Sequence, residues 1–546
     1  MAKTSLLTVG VACVAALYPT FSSAAEPAVV VATAAQCNAL LNANLLGTPD
    51  APTQITGAKL VEPAGIVSGY CEVQGYVWPQ VGFELLLPVS NWNGKFIELG
   101  CGGHCGVIEL SIADCPAGYA CIGTDAGHKA TVYEGQGLWG GDVFDGLWGY
   151  GNLQAKVDWG YRAPHVTAVA GKAITALFYH QAPKKSYFMG CSTGGRQGLQ
   201  EAQRFPWDFD GIIAGAPPIN LSTLYMTFAW GILATHDKDG RPLLGKAELK
   251  LVTDAAVAKC DLDDGVGDGI ISDPKHCRFD PAKLTCKANQ TSRCLTQVQV
   301  EAVKKVYAGP TTSSGVSLSL GGPMPGSEYG LVDGAWGVND WSEAYVGING
   351  KRARYEPLVT AGLRYLFFVP DLGPAWKLSD FDFDRDYQNM GVAEALYDSS
   401  NPDLRKFKAA GGKLISYQGT NDISVLPQIT EDYYDTVERT MGGREATQSF
   451  FRLFVFPGAE HCLIGGDGAD TVNFLAVLED WVENGKAPDR LIAAHLKNGE
   501  SSGLKAFPLD PSRIQFTRPV YPYPIGAKYS GHGDPNNAAN FVPAAR

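Results

Sequence analysis

Residues 186–205 read SYFMGCSTGGRQGLQEAQRF. A short apolar run ends in small residues and passes at once into a helix-forming segment. That order is a strand, a tight turn with Ser192 at its apex, and a helix. Gly190, Ser192 and Gly194 give the spacing G-x-S-x-G. The turn is strained, and side chains in place of the glycines would collide with the adjoining strand and helix. The bare spacing recurs by chance in glycine-rich chains. Its position between a strand and a helix makes Ser192 a candidate nucleophile.

The flanking sequence repeats the alternation. GKFIEL (94–99) reads as a strand running into the glycine-rich turn GCGGHCG. Residues 163–180 place Val166, Val169, Ala170, Ala173, Ile174 and Leu177 at helical spacing, and Pro183 then breaks the chain. FDGIIAGAPP (209–218) is a further strand. After Pro218 the pattern fades into acidic, cysteine-rich and glycine-rich stretches. It resumes at GGKLISYQGTNDISV (411–425), FFRLFVFPGAEHC (450–462) and the helical TVNFLAVLEDWVENGK (471–486). The expected architecture is α/β: a core from residues 26–219 and 406–546, interrupted by an inserted domain over 220–405. At 546 residues the chain is long enough for both.

Net charge narrows the partners. At −12 the surface is acidic and carries no long Lys/Arg run, which argues against nucleic acid. The first 25 residues hold Lys3, an apolar run and small residues ending at Ala24 and Ala25. They read as an export signal cleaved after Ala25; Pro19 and the short apolar run disfavour a membrane anchor. No later segment has the ~18 unbroken apolar residues of a membrane span. A secreted or periplasmic protein is expected. Of the 13 cysteines, Cys13 falls in the leader and the other twelve suit disulfides. Cys37 and Cys71 are placed among the bridged set, as are the neighbours Cys286 and Cys294. Cys101, Cys105, Cys115 and Cys121 allow three pairings. They lack a CxxC pair and have only His104 close by, so zinc is the weaker reading.

A nucleophilic serine needs a base and an acid that orients the base, in the chain order Ser, Asp or Glu, His. Asp422 lies in the turn after the strand KLISYQG, and His461 in the turn after FRLFVF. Open α/β sheets build their sites at such strand ends. Cys191 precedes Ser192 and Cys462 follows His461. A Cys191–Cys462 bridge would hold serine and imidazole together across the insertion, with Cα atoms about 4.4–6.8 Å apart. The oxyanion calls for two backbone N–H donors. Thr193 is the expected first; Gly102 or Gly103 supplies the second.

GCSTGGRQGL, GTND and AEHC together resemble the tannase and feruloyl esterase family. NWNGKFIELGCGG, DWGYRAPHVTAVAGKAITALFY and FDFDRDY are similar to family segments too, so the resemblance spans most of the chain. It implies an α/β-hydrolase core with a large lid and Ser192, Asp422 and His461 as its triad. It also implies calcium in the lid, in the stretch CDLDDGVGDGIISDPKHC. Asp261, Asp264 and Asp268 would supply carboxylates, and Val266 and Ile270 carbonyls, an oxygen set suited to a hard cation. The loop departs from an EF-hand, with Val266 at the sixth position and Ser272 at the twelfth. Cys260 and Cys277 bracket it and are expected to pair. Four cysteines around the oxyanion turn are a departure from the general family pattern.

The resemblance implies aromatic-acid esters as substrates, feruloyl and related hydroxycinnamoyl esters first. Gallate esters and a terephthalate monoester are the alternatives. Tyr225, Phe228, Trp230, Trp336, Trp341, Tyr365, Phe367 and Phe368 could hold a planar ring, although most are expected to be lid core. Arg364 is expected to pair with a lid acid rather than a substrate carboxylate. A non-catalytic binding protein on the same scaffold is the contrasting reading, and the complete Ser, Asp and His set disfavours it.

Overall fold

The computed structural model describes residues 1, 33–63, 69–108, 110, 115–131, 143–330, 340–347, 350–497 and 510–545. Residues 2–25 of the expected leader and Trp336 lie outside them. Nine strands form one sheet in the order β1-β2-β3-β5-β4-β6-β7-β8-β9. They are β1 Thr53–Val61, β2 Tyr70–Val77, β3 Val81–Pro88, β4 Lys95–Leu99, β5 Ala120–Thr124, β6 Lys185–Cys191, β7 Gly211–Gly215, β8 Lys413–Gly419 and β9 Phe451–Phe456. β1, β2, β3 and β5 pair antiparallel. From β5 through β4, β6, β7 and β8 to β9 every pairing is parallel.

Burial explains why the two halves read so differently. The parallel strands are covered on both faces, so β7 (GIIAG) and β9 (FRLFVF) are buried at every position. At the opposite edge, the first residues of β1 alternate buried and exposed. The Ala163–Tyr179 and Thr193–Arg204 helices fall where the sequence placed them. Leu177, counted on the apolar stripe of the first, is exposed. The second begins at Thr193, directly after the serine.

No described residue between β7 and β8 belongs to a strand of any sheet. The chain there builds helices such as Leu221–Ala234, Lys246–Cys260, Tyr355–Tyr365 and Gly391–Tyr397. Leu224, Tyr225 and Leu363 from this insertion share one hydrophobic core with Ile212 and Ile415 of the sheet. Four further strands, unread in the sequence, make two small antiparallel sheets: β10 Leu491–Leu496 with β11 Ile514–Val520, and β12 Ile525–Tyr529 with β13 Phe541–Ala545. Among the described residues, no helix is long and apolar enough to cross a membrane.

Candidate active site

β6 ends at Cys191, and Ser192 takes φ 58° and ψ −125° before the helix begins. A residue with a Cβ is rarely held at positive φ unless its surroundings enforce it. Here the backbones are in contact. A Cβ on Gly190 would stand 2.6 Å from the Gly194 carbonyl carbon, and one on Gly195 would stand 2.1 Å from the Gly215 carbonyl oxygen. The Ser192 N–H donates to that same Gly215 oxygen at 3.0 Å. Only glycine lets β6, β7 and the helix approach so closely.

Asp422 follows β8 and is buried. Its Oδ1 accepts the N–H groups of Ser424 and Val425, each at 2.8 Å. Its Oδ2 accepts Gln418 Nε2 at 2.9 Å and His461 Nδ1 at 2.8 Å. The bond to Nδ1 fixes the His461 tautomer and leaves Nε2 as the basic nitrogen. Cys191 and Cys462 are bridged, with Cα atoms 5.7 Å apart, inside the expected range. The residue before Ser192 is thereby tied to the residue after His461. Among the described residues Ser192 Oγ makes no hydrogen bond.

The glycine turn after β4 is held from several sides. Cys101 pairs with Cys105, and Cys115 pairs with Cys121, which selects one of the three pairings. Gln197 Oε1 accepts the Cys101 N–H at 3.2 Å. Thr193 Oγ1 donates to the Gly103 carbonyl at 2.6 Å, and the Gly102 carbonyl accepts the Cys105 N–H at 2.8 Å. The N–H groups of Thr193, Gly102 and Gly103 have no acceptor among the described residues. Beside the turn, burial pushes the His104 imidazole down to about 4 and that of His128 to about 3. His128 Nε2 donates to the His104 carbonyl at 2.8 Å, and its buried Nδ1 has no partner among the described residues.

Sequence reading missed what seats the helix after Ser192. Arg196 is fully buried and donates to the carbonyls of Gly160 (2.6 Å), Trp159 (3.0 Å) and Tyr397 (3.3 Å). Gln200 and Gln203 donate to the Asp398 and Ser399 carbonyls at 3.0 and 2.6 Å. The polar residues of this helix are its docking surface for the insertion. The named aromatics are mostly core, as expected: Tyr225, Phe228, Trp341, Tyr365, Phe367 and Phe368 are buried. Trp230 is half-buried and donates to the Lys305 carbonyl. The pairing expected for Arg364 is not found among the described residues. Its Nε donates to the Trp376 carbonyl at 2.7 Å, because a nearby turn offers an acceptor its stem reaches without a charged partner.

The acidic loop is closed by Cys260–Cys277, and the remaining pairs are Cys286–Cys294 and Cys37–Cys71. Asp261 Oδ1 accepts the N–H groups of Asp268 and Gly269, and Asp264 Oδ1 accepts that of Val266. Asp268 Oδ2 pairs with Arg518 of β11 at 2.7 Å. Burial, with Asp268 close by, holds the Asp264 and Asp467 carboxyls above the usual range. Oxygen donors of this kind are what a hard cation takes, but the Asp261, Asp264 and Asp268 carboxylates are not drawn into one cluster, and Ser272 Oγ and Arg518 already engage Asp264 and Asp268.

A sequence model of the family described as tannase and feruloyl esterase matches residues 65–544. The chain is 32% identical over 580 aligned residues to mono(2-hydroxyethyl) terephthalate hydrolase of Piscinibacter sakaiensis, covering 95% of this chain and 93% of that protein. It is 33% identical over 471 residues to a "Probable feruloyl esterase" of Arthroderma benhamiae, covering 85% and 82%. Among solved structures, feruloyl esterase B of Aspergillus oryzae superposes with a TM-score of 0.77 at 27% identity, covering 94% of this chain and all of that one.

Replacing both Cys191 and Cys462 by alanine should cost about 2–5 kcal/mol of stability and lower turnover through lost alignment. Unchanged unfolding and unchanged turnover in the double variant would show that the bridge does neither. The buried histidines set an acid sensitivity. His128 has a folded value near 3 against an ordinary 6.5, so its neutral form is the one that folds. Its contribution is whole above pH 6.5 and is lost as pH falls toward 3. The His128→Phe variant keeps a ring against Trp148 and should lose less melting temperature between pH 7 and 4.5 than the wild type. Parallel losses would assign the acid sensitivity elsewhere.

Proposed function

The chain belongs to the tannase and feruloyl esterase family and is a carboxylic ester hydrolase, and from that premise we propose that it cleaves esters of aromatic acids, feruloyl and hydroxycinnamoyl esters first, by acyl transfer to Ser192. The observation that carries the mechanism is the His461–Asp422 hydrogen bond, seated next to Ser192 by the Cys191–Cys462 bridge.

Ser192 Oγ attacks the ester carbonyl carbon while His461 Nε2 takes its proton. The carbonyl oxygen becomes the oxyanion, received by the N–H of Thr193 and of Gly102 or Gly103. Collapse breaks the bond to the alkoxy group, which leaves as the alcohol with the proton from His461. Water, deprotonated by His461, then attacks the acyl-enzyme and releases the acid, returning the proton to Ser192. Asp422 keeps Nδ1–H pointed at itself throughout and stabilises the imidazolium. The relative named as a terephthalate monoester hydrolase supports a second substrate reading, since a terephthaloyl and a feruloyl group are both planar aromatic acyls.

Calcium is proposed at Asp261, Asp264 and Asp268 with the carbonyls of Val266 and Ile270. When bound it supplies positive charge that orders the loop and takes no part in acyl transfer. The six disulfides support export, because oxidising compartments are where such bridges persist. Acidic charge gives no support to a nucleic-acid partner.

Ser192→Ala should lose about 10⁴–10⁶ in kcat on whichever of methyl ferulate, methyl gallate and mono(2-hydroxyethyl) terephthalate the wild type prefers. Near-normal turnover would remove Ser192 from the mechanism. Wild-type inactivity on all three, with Ser192 still labelled by a fluorophosphonate, would leave the nucleophile and overturn the acyl group. Chelation with EGTA should lower the melting temperature, reversibly on adding calcium, before it abolishes turnover. A melt indifferent to both additions would remove the metal.

A further inference from the structure

His104 sits inside the Cys101–Cys105 turn, yet its side chain points away from solvent and is fully buried. Its Nδ1 lies 3.2 Å from the Asp145 carbonyl, which can only accept. Nδ1 therefore carries the proton, and Nε2 is an acceptor. The group facing Nε2 at hydrogen-bond distance is the Tyr225 hydroxyl, so Tyr225 O–H donates to His104 Nε2. Backbone bonds complete the anchorage: the His104 N–H donates to the Val143 carbonyl at 2.7 Å, and its carbonyl accepts His128 Nε2.

Tyr225 belongs to the first helix of the insertion, Leu221–Ala234. Its ring packs on Phe367 with centroids 4.3 Å apart. A Cβ on Gly362 would stand 2.2 Å from its Cε1, so glycine in the Tyr355–Tyr365 helix is what lets the ring lie there. The hydroxyl is thus aimed by two insertion helices at a turn that belongs to the sheet. That turn carries the Gly102 and Gly103 N–H groups, which have no acceptor among the described residues.

We infer that His104 and Tyr225 are positioning residues for the oxyanion turn, and that through their hydrogen bond the docked insertion sets where the Gly102 and Gly103 N–H groups point. The inference rests on the proposed acyl-transfer reading. Both side chains are buried, which argues for a positioning role rather than substrate contact. Their contribution is made when charge develops on the carbonyl oxygen, so it falls on kcat and leaves substrate binding nearly untouched.

Tyr225→Phe removes the donor and keeps the ring. On the preferred ester it should lower kcat about ten- to hundredfold, less than the loss of a whole oxyanion donor, with KM within about twofold. A trifluoromethyl ketone analogue of that ester, which forms a tetrahedral adduct with the serine, should weaken by the same factor as kcat/KM. His104→Gln offers an amide oxygen to the tyrosine hydroxyl and should retain most of the activity, whereas His104→Leu should not. Wild-type kcat in Tyr225→Phe, a fall in kcat with ketone affinity unchanged, or His104→Gln as impaired as His104→Leu would each overturn the inference. If Tyr225→Phe fails to fold, the Gln and Leu pair at His104 decides. The two readings separate at Ser192→Ala: turnover there sinks acyl transfer through Ser192, while an inactive Ser192→Ala beside a normal Tyr225→Phe sinks only the positioning role.

Discussion

The Cys191–Cys462 bridge spans 271 residues of sequence and holds the ends of β6 and the loop after β9 within one disulfide. Everything the insertion does happens inside that closed loop. Cross-linking so long a loop removes much freedom from the unfolded chain, on the order of 5 kcal/mol by the chain-entropy account. It also solves a geometric problem. The loop after β9 has three glycines near His461, at 458, 465 and 466, all at positive φ. The bridge adds a covalent restraint to a turn that the Glu460 N–H to Gly465 and Gly468 N–H to Gly458 bonds already close. The bridge restrains His461 from one side and the Asp422 bond from the other.

The bridge alone does not fix the insertion against the sheet. The helix after Ser192, whose polar residues face inward, shares that task with contacts such as Tyr225–His104. Arg196 meets no carboxylate among the described residues; it satisfies backbone carbonyls of residues 159, 160 and 397, and its charge lies over the Trp159 ring at 4.7 Å. A buried guanidinium is costly unless its donors are used. Burial lowers its value to about 10, still charged at neutral pH. The helix that begins after Ser192 is therefore also a part of the core that bonds to the insertion.

The strand–turn–helix at 186–205, the positions of Asp422 and His461 after β8 and β9, and the fading of the strand–helix alternation after Pro218 were legible because each is a local pattern. Periodicity, strand ends and glycine punctuation carry that information within a dozen residues. The pairing of Cys101 with Cys105 was not legible. Four cysteines within twenty-odd residues satisfy several closures equally, and the choice is made by β5, which pairs with β3 and β4 and carries Cys121 into the sheet beside Cys115. The helix RQGLQEAQR misleads for a different reason. Polar composition normally marks a solvated face, but here the partners are backbone carbonyls of residues 397–399, nearly two hundred positions away. Arg364 departs from a different expectation, that a cation seeks an acid: among the described residues its Nε donates to the Trp376 carbonyl instead.

The acidic loop belongs to the same chain of contacts, which places its proposed metal in relation to the site without giving it a chemical role. Ile270, at the end of that loop, presses on Gly458, where a Cβ would come within 2.8 Å of its Cγ2. The Gly458 N–H donates to Thr420 Oγ1 at 2.8 Å, two residues before Asp422. Arg518 of β11 reaches Asp268 from the opposite side. A shift of the loop would thus be felt first at Gly458 and Thr420, between the turns that carry His461 and Asp422. Asp422, His461 and Ser192 follow three strand ends of one sheet, and elements outside it hold them there: the disulfide, the carbonyls gathered by Arg196, and the loop leaning on Gly458.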